Sequence, residues 1–264
     1  MPYARIPNEL KLYYEENGKG EPVIFLHGFT LDIRQWECEL EVFGRGWRAI
    51  AYDALGHGKS STPDTGYGRD DRVEHLRAFI DALGLERAHV VGLSMGGVTA
   101  IGFALAYPER LRSMTLVSTG AAGYGVGKKI QLVDQAAREK GLEAAREKWK
   151  RTTLSYYTSE KRRIRDLMQR MIDEHSGAIW ADPMRGKYPK SNDLQNVHRI
   201  ETPTLLLAGT LDRIFLPLAH KLDKRLPNSR LQVFEDVGHM INLEAPERFE
   251  RSVKQFLETI APGG

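Results

Sequence analysis

The sequence predicts an α/β protein whose mostly parallel sheet is covered by helices on both faces. Three observations predict it. Strand-like and helix-like segments alternate over both ends of the chain, the strands read as unbroken apolar runs, and the helical stretches carry apolar residues at one-sided spacing. A strand buried on both faces has no polar side to show, so its sequence loses the apolar–polar alternation of a half-exposed sheet.

The elements follow in order. NELKLYYEENGKG reads as a strand entering a glycine-rich turn, and PVIFLHG and WRAIAYD as buried strands. In RDDRVEHLRAFIDAL, Val73, Leu76, Phe79, Ile80 and Leu83 recur at helical spacing, and Gly84 stops the helix. HVVGLS is a strand, MGGVTAIGFALAY a helix ended by Pro108, and LRSMTLVST the next strand. From Gly120 to His198 the rhythm lapses into charged helical runs, KIQLVDQAAREKGLEAAREKWK and SEKRRIRDLMQRMIDEH. Alternation resumes with TPTLLLAGT (strand), LAHKLDKRL (helix), SRLQVFED (strand) and APERFERSVKQFLETI (helix). The expectation is a core of residues 1–119 and 199–264 with a helical cap, residues 120–198, inserted into it.

Composition narrows the function. Of 264 residues, 41% are hydrophobic and 28% charged, as in ordinary globular proteins. The single cysteine, Cys38, excludes an intramolecular disulfide and fits a reducing compartment. No run approaches eighteen apolar residues and the start, MPYARIPNEL, lacks a signal peptide's apolar stretch, so the expectation is a cytoplasmic protein without a membrane span. The net charge of +3 is local: residues 120–198 hold 16 Lys/Arg against 10 Asp/Glu, the rest 22 against 25. No recognition motif accompanies that excess, so nucleic acid is not expected. A basic lining that selects a carboxylate-bearing small molecule is the functional reading of it; solvated helix faces are the other.

The chemistry centres on Gly92-Leu93-Ser94-Met95-Gly96, a G-x-S-x-G pattern between a strand and a helix. Such a turn strains the nucleophile's backbone, and small residues two positions either side let strand and helix pass closely. The serine needs a base and the base an orienting acid, in chain order Ser, Asp/Glu, His, each just after a later strand. Of the downstream histidines, His175 and His198 belong to the charged segment and His220 to a helix. His239 alone directly follows the last strand. Asp212, in LLLAGTLDRI, follows the strand before it, whereas LVSTG offers no carboxylate. An oxyanion would be held by the Met95 amide and by that of Phe29, in FLHGFTLD, where Gly28 lets the chain turn back. His27 reads as packing beneath that loop.

Other motifs fail. YDALGHGKSS has Asp53 where a phosphate loop needs glycine, and GLSMGG has Ser94 where a dinucleotide fingerprint needs glycine. Histidines are not grouped at ligand spacing, so no metal or cofactor is expected.

HGFTLD, DALGHGKS, GLSMGG, YPERLRSMTLV, GTLDRI and GHMINLEAPE together make the chain resemble the α/β-hydrolase superfamily over essentially its whole length. The resemblance implies an eight-stranded, mostly parallel sheet with a helical cap after the sixth strand, a Ser94–His239–Asp212 triad, and an oxyanion hole from Phe29 and Met95. Ser94 sets aside the relatives with an aspartate nucleophile, and Met240 stands where hydroxynitrile lyases usually carry lysine. The carbon–carbon bond hydrolases favour a glycine- and proline-rich oxyanion loop that HGFTLD lacks. The motifs look most like 3-oxoadipate enol-lactonases, small esterases and cofactor-free perhydrolases, and also like the menaquinone-pathway synthase that eliminates pyruvate. The expected activity is cleavage of a small ester or lactone through an acyl-enzyme; the alternatives are a carbon–carbon bond hydrolase or menaquinone-pathway-type lyase on the same triad, or a non-catalytic small-molecule receptor of the same fold. Tyr124, Trp149, Tyr156, Tyr157, Met168, Met171 and Trp180 could line the substrate pocket, with Trp180, Tyr124 and Trp149 foremost.

Overall fold

The computed structural model describes residues 3–125, 128–155, 157, 161–188 and 190–260. Among them eight strands form one sheet: β1 (Tyr3–Arg5), β2 (Lys11–Asn17), β3 (Pro22–Leu26), β4 (Arg48–Tyr52), β5 (Ala88–Leu93), β6 (Leu111–Val117), β7 (Thr204–Gly209) and β8 (Ser229–Phe234). Their spatial order is β1-β2-β4-β3-β5-β6-β7-β8. The β1–β2 and β2–β4 pairs are antiparallel and all others parallel. The mostly parallel, eight-stranded expectation therefore holds.

The apolar runs are explained by burial from both sides. Along β3, Ile24 and Leu26 enter one core with Val73, Leu76 and Phe79 of α2 (Arg69–Ala82) and Ile101 and Phe103 of α3 (Met95–Ala106). Val23 and Phe25 point the other way, against Leu40 and Phe43 of α1 (Glu37–Phe43) and against Phe249 and Val253 of the C-terminal helix, Pro246–Glu258. Alternate side chains thus serve opposite cores, as the period of two requires.

Among the described residues five α-helices lie between β6 and β7: α4 (Lys128–Lys140), α5 (Leu142–Leu154), α6 (Arg162–Glu174), α7 (Ala178–Ala181) and α8 (Asp193–Asn196). The first charged run, read as helical throughout, is divided at Gly141, whose φ of 85° takes it out of the right-handed helix. After β7 come α9 (Leu216–Asp223), α10 (Ile241–Glu244) and α11 (Pro246–Glu258). Two early elements, β1 and α1, lie outside the pattern read from sequence. Among the described residues no helix is long and apolar enough to cross a membrane.

Candidate active site

Parallel strands deliver their carboxyl ends to one edge of the sheet, and the three predicted residues follow three of those ends. Ser94 follows β5, Asp212 follows β7 and His239 follows β8. Ser94 has φ 53° and ψ −106°, a left-handed conformation costly for a residue with a Cβ. Its amide is tied to the Val117 carbonyl at 3.0 Å and its carbonyl accepts from Val98 at 3.1 Å. The flanking glycines are there for space. A Cβ on Gly92 would stand 2.5 Å from the Gly96 carbonyl carbon, and one on Gly96 only 2.2 Å from the Leu26 oxygen. Helix and strand could not close on each other otherwise.

Asp212 and His239 are brought together by a similar close approach. A Cβ on Gly209 would lie 2.2 Å from the Val237 oxygen, and Leu211 N–H donates to that oxygen at 2.9 Å. His239 Nδ1 then donates to Asp212 Oδ2 at 2.7 Å. A carboxylate only accepts, so this bond keeps the proton on Nδ1 and leaves Nε2 a free acceptor. The buried Asp212 is braced by the Ile214 and Phe215 amides on Oδ1 at 3.3 and 3.2 Å. The Phe215 ring lies against the imidazole, centroids 5.0 Å apart at 31°.

Glu244, to which sequence reading assigned no role, clamps the histidine's neighbours. Its two oxygens accept from Gly238 at 2.9 Å and Met240 at 3.0 Å, and it pairs with Lys161 of the helical segment. Its place in the quoted GHMINLEAPE run was the available signal; only the structure shows both amides converging on it.

The other two predicted residues, Met95 and Phe29, would act through their backbone amides. Met95 opens α3, so its N–H has no intrahelical acceptor, and Phe29 N–H makes no hydrogen bond among the described residues. The Gly28–Phe29 peptide is held by its carbonyl, which accepts from Leu31 N–H at 3.2 Å and from His27 Nδ1 at 2.8 Å. His27 also accepts from Ala54 N–H at 2.9 Å, and burial lowers its pKa. It packs under the loop, as expected. The phosphate-loop lookalike is a structural turn: Asp53 accepts from Ile33 and Lys59 amides, both at 2.8 Å, and burial pushes its pKa up to about 7.

Trp149, Trp180 and Tyr124 all lie near these loops. Trp149 and Trp180 meet the Phe29 ring edge-on at centroid distances of 5.2 and 5.9 Å, and Tyr124 donates to the Ile214 carbonyl at 3.3 Å. Tyr157, Met168 and Met171 are buried in the second core; Tyr156 lies outside the described residues. A recess of about 530 Å³ opens between the start of α2 and the helical segment, lined by Tyr67, Arg69, Tyr124, Asp134, Arg185 and Tyr188 among others. None of Ser94, Asp212 and His239 lines it. Arg69 and Arg185, two of its cations, are already paired with Asp193 and Asp134 at 2.7 Å each, so the local basic excess is partly neutralised there. Among the described residues no group of His, Cys, Asp and Glu has the geometry to hold a metal ion.

At this sheet edge Asp212 engages Nδ1 of His239 and leaves Nε2 to accept a proton, and Ser94 stands at the end of β5. Comparison with known proteins agrees on the fold and divides on the bond. A family model described as alpha/beta hydrolase fold matches residues 21–246. The chain is 31% identical over 257 residues to a putative 2-succinyl-6-hydroxy-2,4-cyclohexadiene-1-carboxylate synthase of Bacillus subtilis (strain 168), covering 91% of each protein. It is also 31% identical over 272 residues to a 2-hydroxy-6-oxononadienedioate/2-hydroxy-6-oxononatrienedioate hydrolase of Burkholderia vietnamiensis, covering 94% of this chain and 91% of that one. Among solved structures, a thermophilic esterase from Thermogutta terrifontis superposes with a TM-score of 0.86 at 25% identity over 98% of both chains. Carbon–carbon bond hydrolases are therefore among the relatives, although the oxyanion loop argued against them.

Proposed function

Since the chain belongs to the alpha/beta hydrolase family, we propose that it is a serine hydrolase cleaving a carboxylic ester or lactone of a small molecule. Ser94, deprotonated by His239, attacks the carbonyl carbon; the Phe29 and Met95 amides hold the oxyanion. His239 returns the proton to the leaving alcohol, and the Ser94 acyl-enzyme remains. Water, deprotonated by the same imidazole, releases the acid and restores the serine. Asp212 keeps the imidazole in the Nδ1–H tautomer and stabilises its charged form. The helices between β6 and β7 act as a cap over this edge, and Trp149 and Trp180, packed on the Phe29 ring, and Tyr124, bonded to the Ile214 carbonyl, are its substrate-contacting residues.

The observation that carries this reading is the 2.7 Å His239–Asp212 hydrogen bond at the sheet edge where Ser94 is held at φ 53°. The likeness to an esterase structure supports the ester bond as substrate. The 31% identity to a ring-fission-type hydrolase supports a second reading, carbon–carbon cleavage on the same three residues. The test is a kcat/KM series with short-chain esters, five- and six-membered lactones, and a 2-hydroxy-6-oxodienoate. Ester or lactone turnover that exceeds dienoate turnover and disappears in Ser94→Ala supports the proposal. A dienoate preference of tenfold or more replaces it with the second reading.

A further inference from the structure

Building on the reading of Phe29 as an oxyanion donor, we infer that Trp149 is a positioning residue: its indole N–H, through Thr30, sets the peptide plane that follows Phe29. Docking of the helical segment thereby completes the oxyanion hole.

The Phe29 N–H lies in the Gly28–Phe29 peptide, the Phe29–Thr30 peptide holds residue 29 from its other side, and each peptide has its own partners. The Gly28–Phe29 peptide is pinned by the core, through Leu31 and His27 on the Gly28 oxygen. Peptide planarity then directs the Phe29 N–H away from that oxygen. The Phe29–Thr30 peptide is pinned by Thr30 itself and by His57. Thr30 Oγ1 donates to the Phe29 carbonyl at 2.6 Å, and Thr30 N–H donates to His57 Nε2 at 3.3 Å. His57 accepts there because its Nδ1 donates to the Leu55 carbonyl at 3.0 Å.

The hydroxyl is where the helical segment enters. Trp149, on α5, donates its Nε1–H to Thr30 Oγ1 at 2.7 Å, across 119 residues of sequence. One hydroxyl carries one proton, so accepting from the indole commits that proton to the Phe29 carbonyl. Thr30 needs such a hold. It is fully buried and sits at φ 61°, a conformation that a β-branched side chain strongly disfavours. The Phe29 ring is gripped by the same segment: Trp149 and Trp180 at its edges, and the Arg185 guanidinium 5.5 Å from its centroid. Residue 29 is thus fixed by the core on one side and by the helical segment on the other.

The experiment compares wild type, Trp149→Phe, Thr30→Val, Thr30→Ser and the Trp149→Phe/Thr30→Val double variant, each first shown by circular dichroism to be folded. It reads kcat and KM on a short-chain ester, and amide hydrogen exchange over residues 27–33. Trp149→Phe keeps the ring and loses only the donor. Expected are a fall in kcat of about tenfold or more in Trp149→Phe and Thr30→Val with KM within about twofold, and recovery of most of that loss in Thr30→Ser. The double variant is no slower than Thr30→Val, and exchange over 27–33 is faster in Trp149→Phe and in Thr30→Val. A raised KM with unchanged kcat in Trp149→Phe would make the indole a wall of the substrate pocket and overturn the inference, as would multiplying losses in the double variant. Wild-type inactivity on every ester would count against the hydrolase reading; the exchange data alone then decide the coupling, and unchanged protection in Trp149→Phe sinks it. Should Thr30→Val fail to fold, Trp149→Phe carries the test.

Discussion

Glu39 is fully buried on α1, and among the described residues neither of its carboxylate oxygens has a hydrogen-bond partner. Desolvation raises its pKa from 4.5 to about 8; its own backbone amide and then Asn242 offset part of this without reaching hydrogen-bonding geometry. Between those two values the folded protein holds a neutral acid while the unfolded chain has ionised. The folded state therefore binds more protons, and stability falls as pH rises across that window. Each full pH unit is worth ~1.4 kcal/mol and the half-titrated ends at pH 4.5 and 8 contribute less, so the window is worth roughly 4 kcal/mol.

Glu39→Gln keeps the shape and never ionises. Its stability relative to wild type should therefore grow by roughly 4 kcal/mol between pH 4.5 and 8 and level off above. Urea unfolding of both proteins at half-unit pH steps measures this. Asp53, pushed to about 7, and His175, drawn down to about 3, also make the curves pH-dependent, but both are present in each protein and cancel in the difference. Parallel stability curves across that window would refute the reasoning, because Glu39 would then ionise in the folded protein as it does in the unfolded chain.

Gly96→Ala places a methyl 2.2 Å from the Leu26 oxygen, a backbone atom that cannot swing aside. The expected loss is about 2–3 kcal/mol of stability, read by urea unfolding, together with reduced turnover as the Ser94 turn opens. Asp212→Asn keeps the shape of the acid but can donate to His239, which favours the wrong tautomer. On the proposed mechanism kcat falls about 10³–10⁴-fold with little change in melting temperature, and an unchanged kcat would remove Asp212 from the triad.

How much of this was readable from sequence depends on how far the causes reach along the chain. The parallel sheet was legible because burial on both faces writes unbroken apolar runs such as PVIFL into single segments. Ser94 was legible because its strain demands glycines at fixed local spacing, and Asp212 and His239 because each follows a strand in a required order. Elements whose reasons lie elsewhere were not legible. The three-residue β1 is too short to show a period and is fixed by its pairing with Lys11–Tyr13. Glu39 looks like a solvent residue until the opposite core closes over it. Thr30 gives no hint of a left-handed backbone, since the hydrogen bonds that hold it come from His57 and Trp149, 27 and 119 residues away.

The proposed mechanism requires an activated Ser94. Its most direct test is the intact mass of the protein after incubation with a serine-directed fluorophosphonate, beside a Ser94→Ala control. The expected result is one covalent adduct on the wild-type protein and none on the control. An unlabelled wild type, or an adduct that persists in Ser94→Ala, would contradict it.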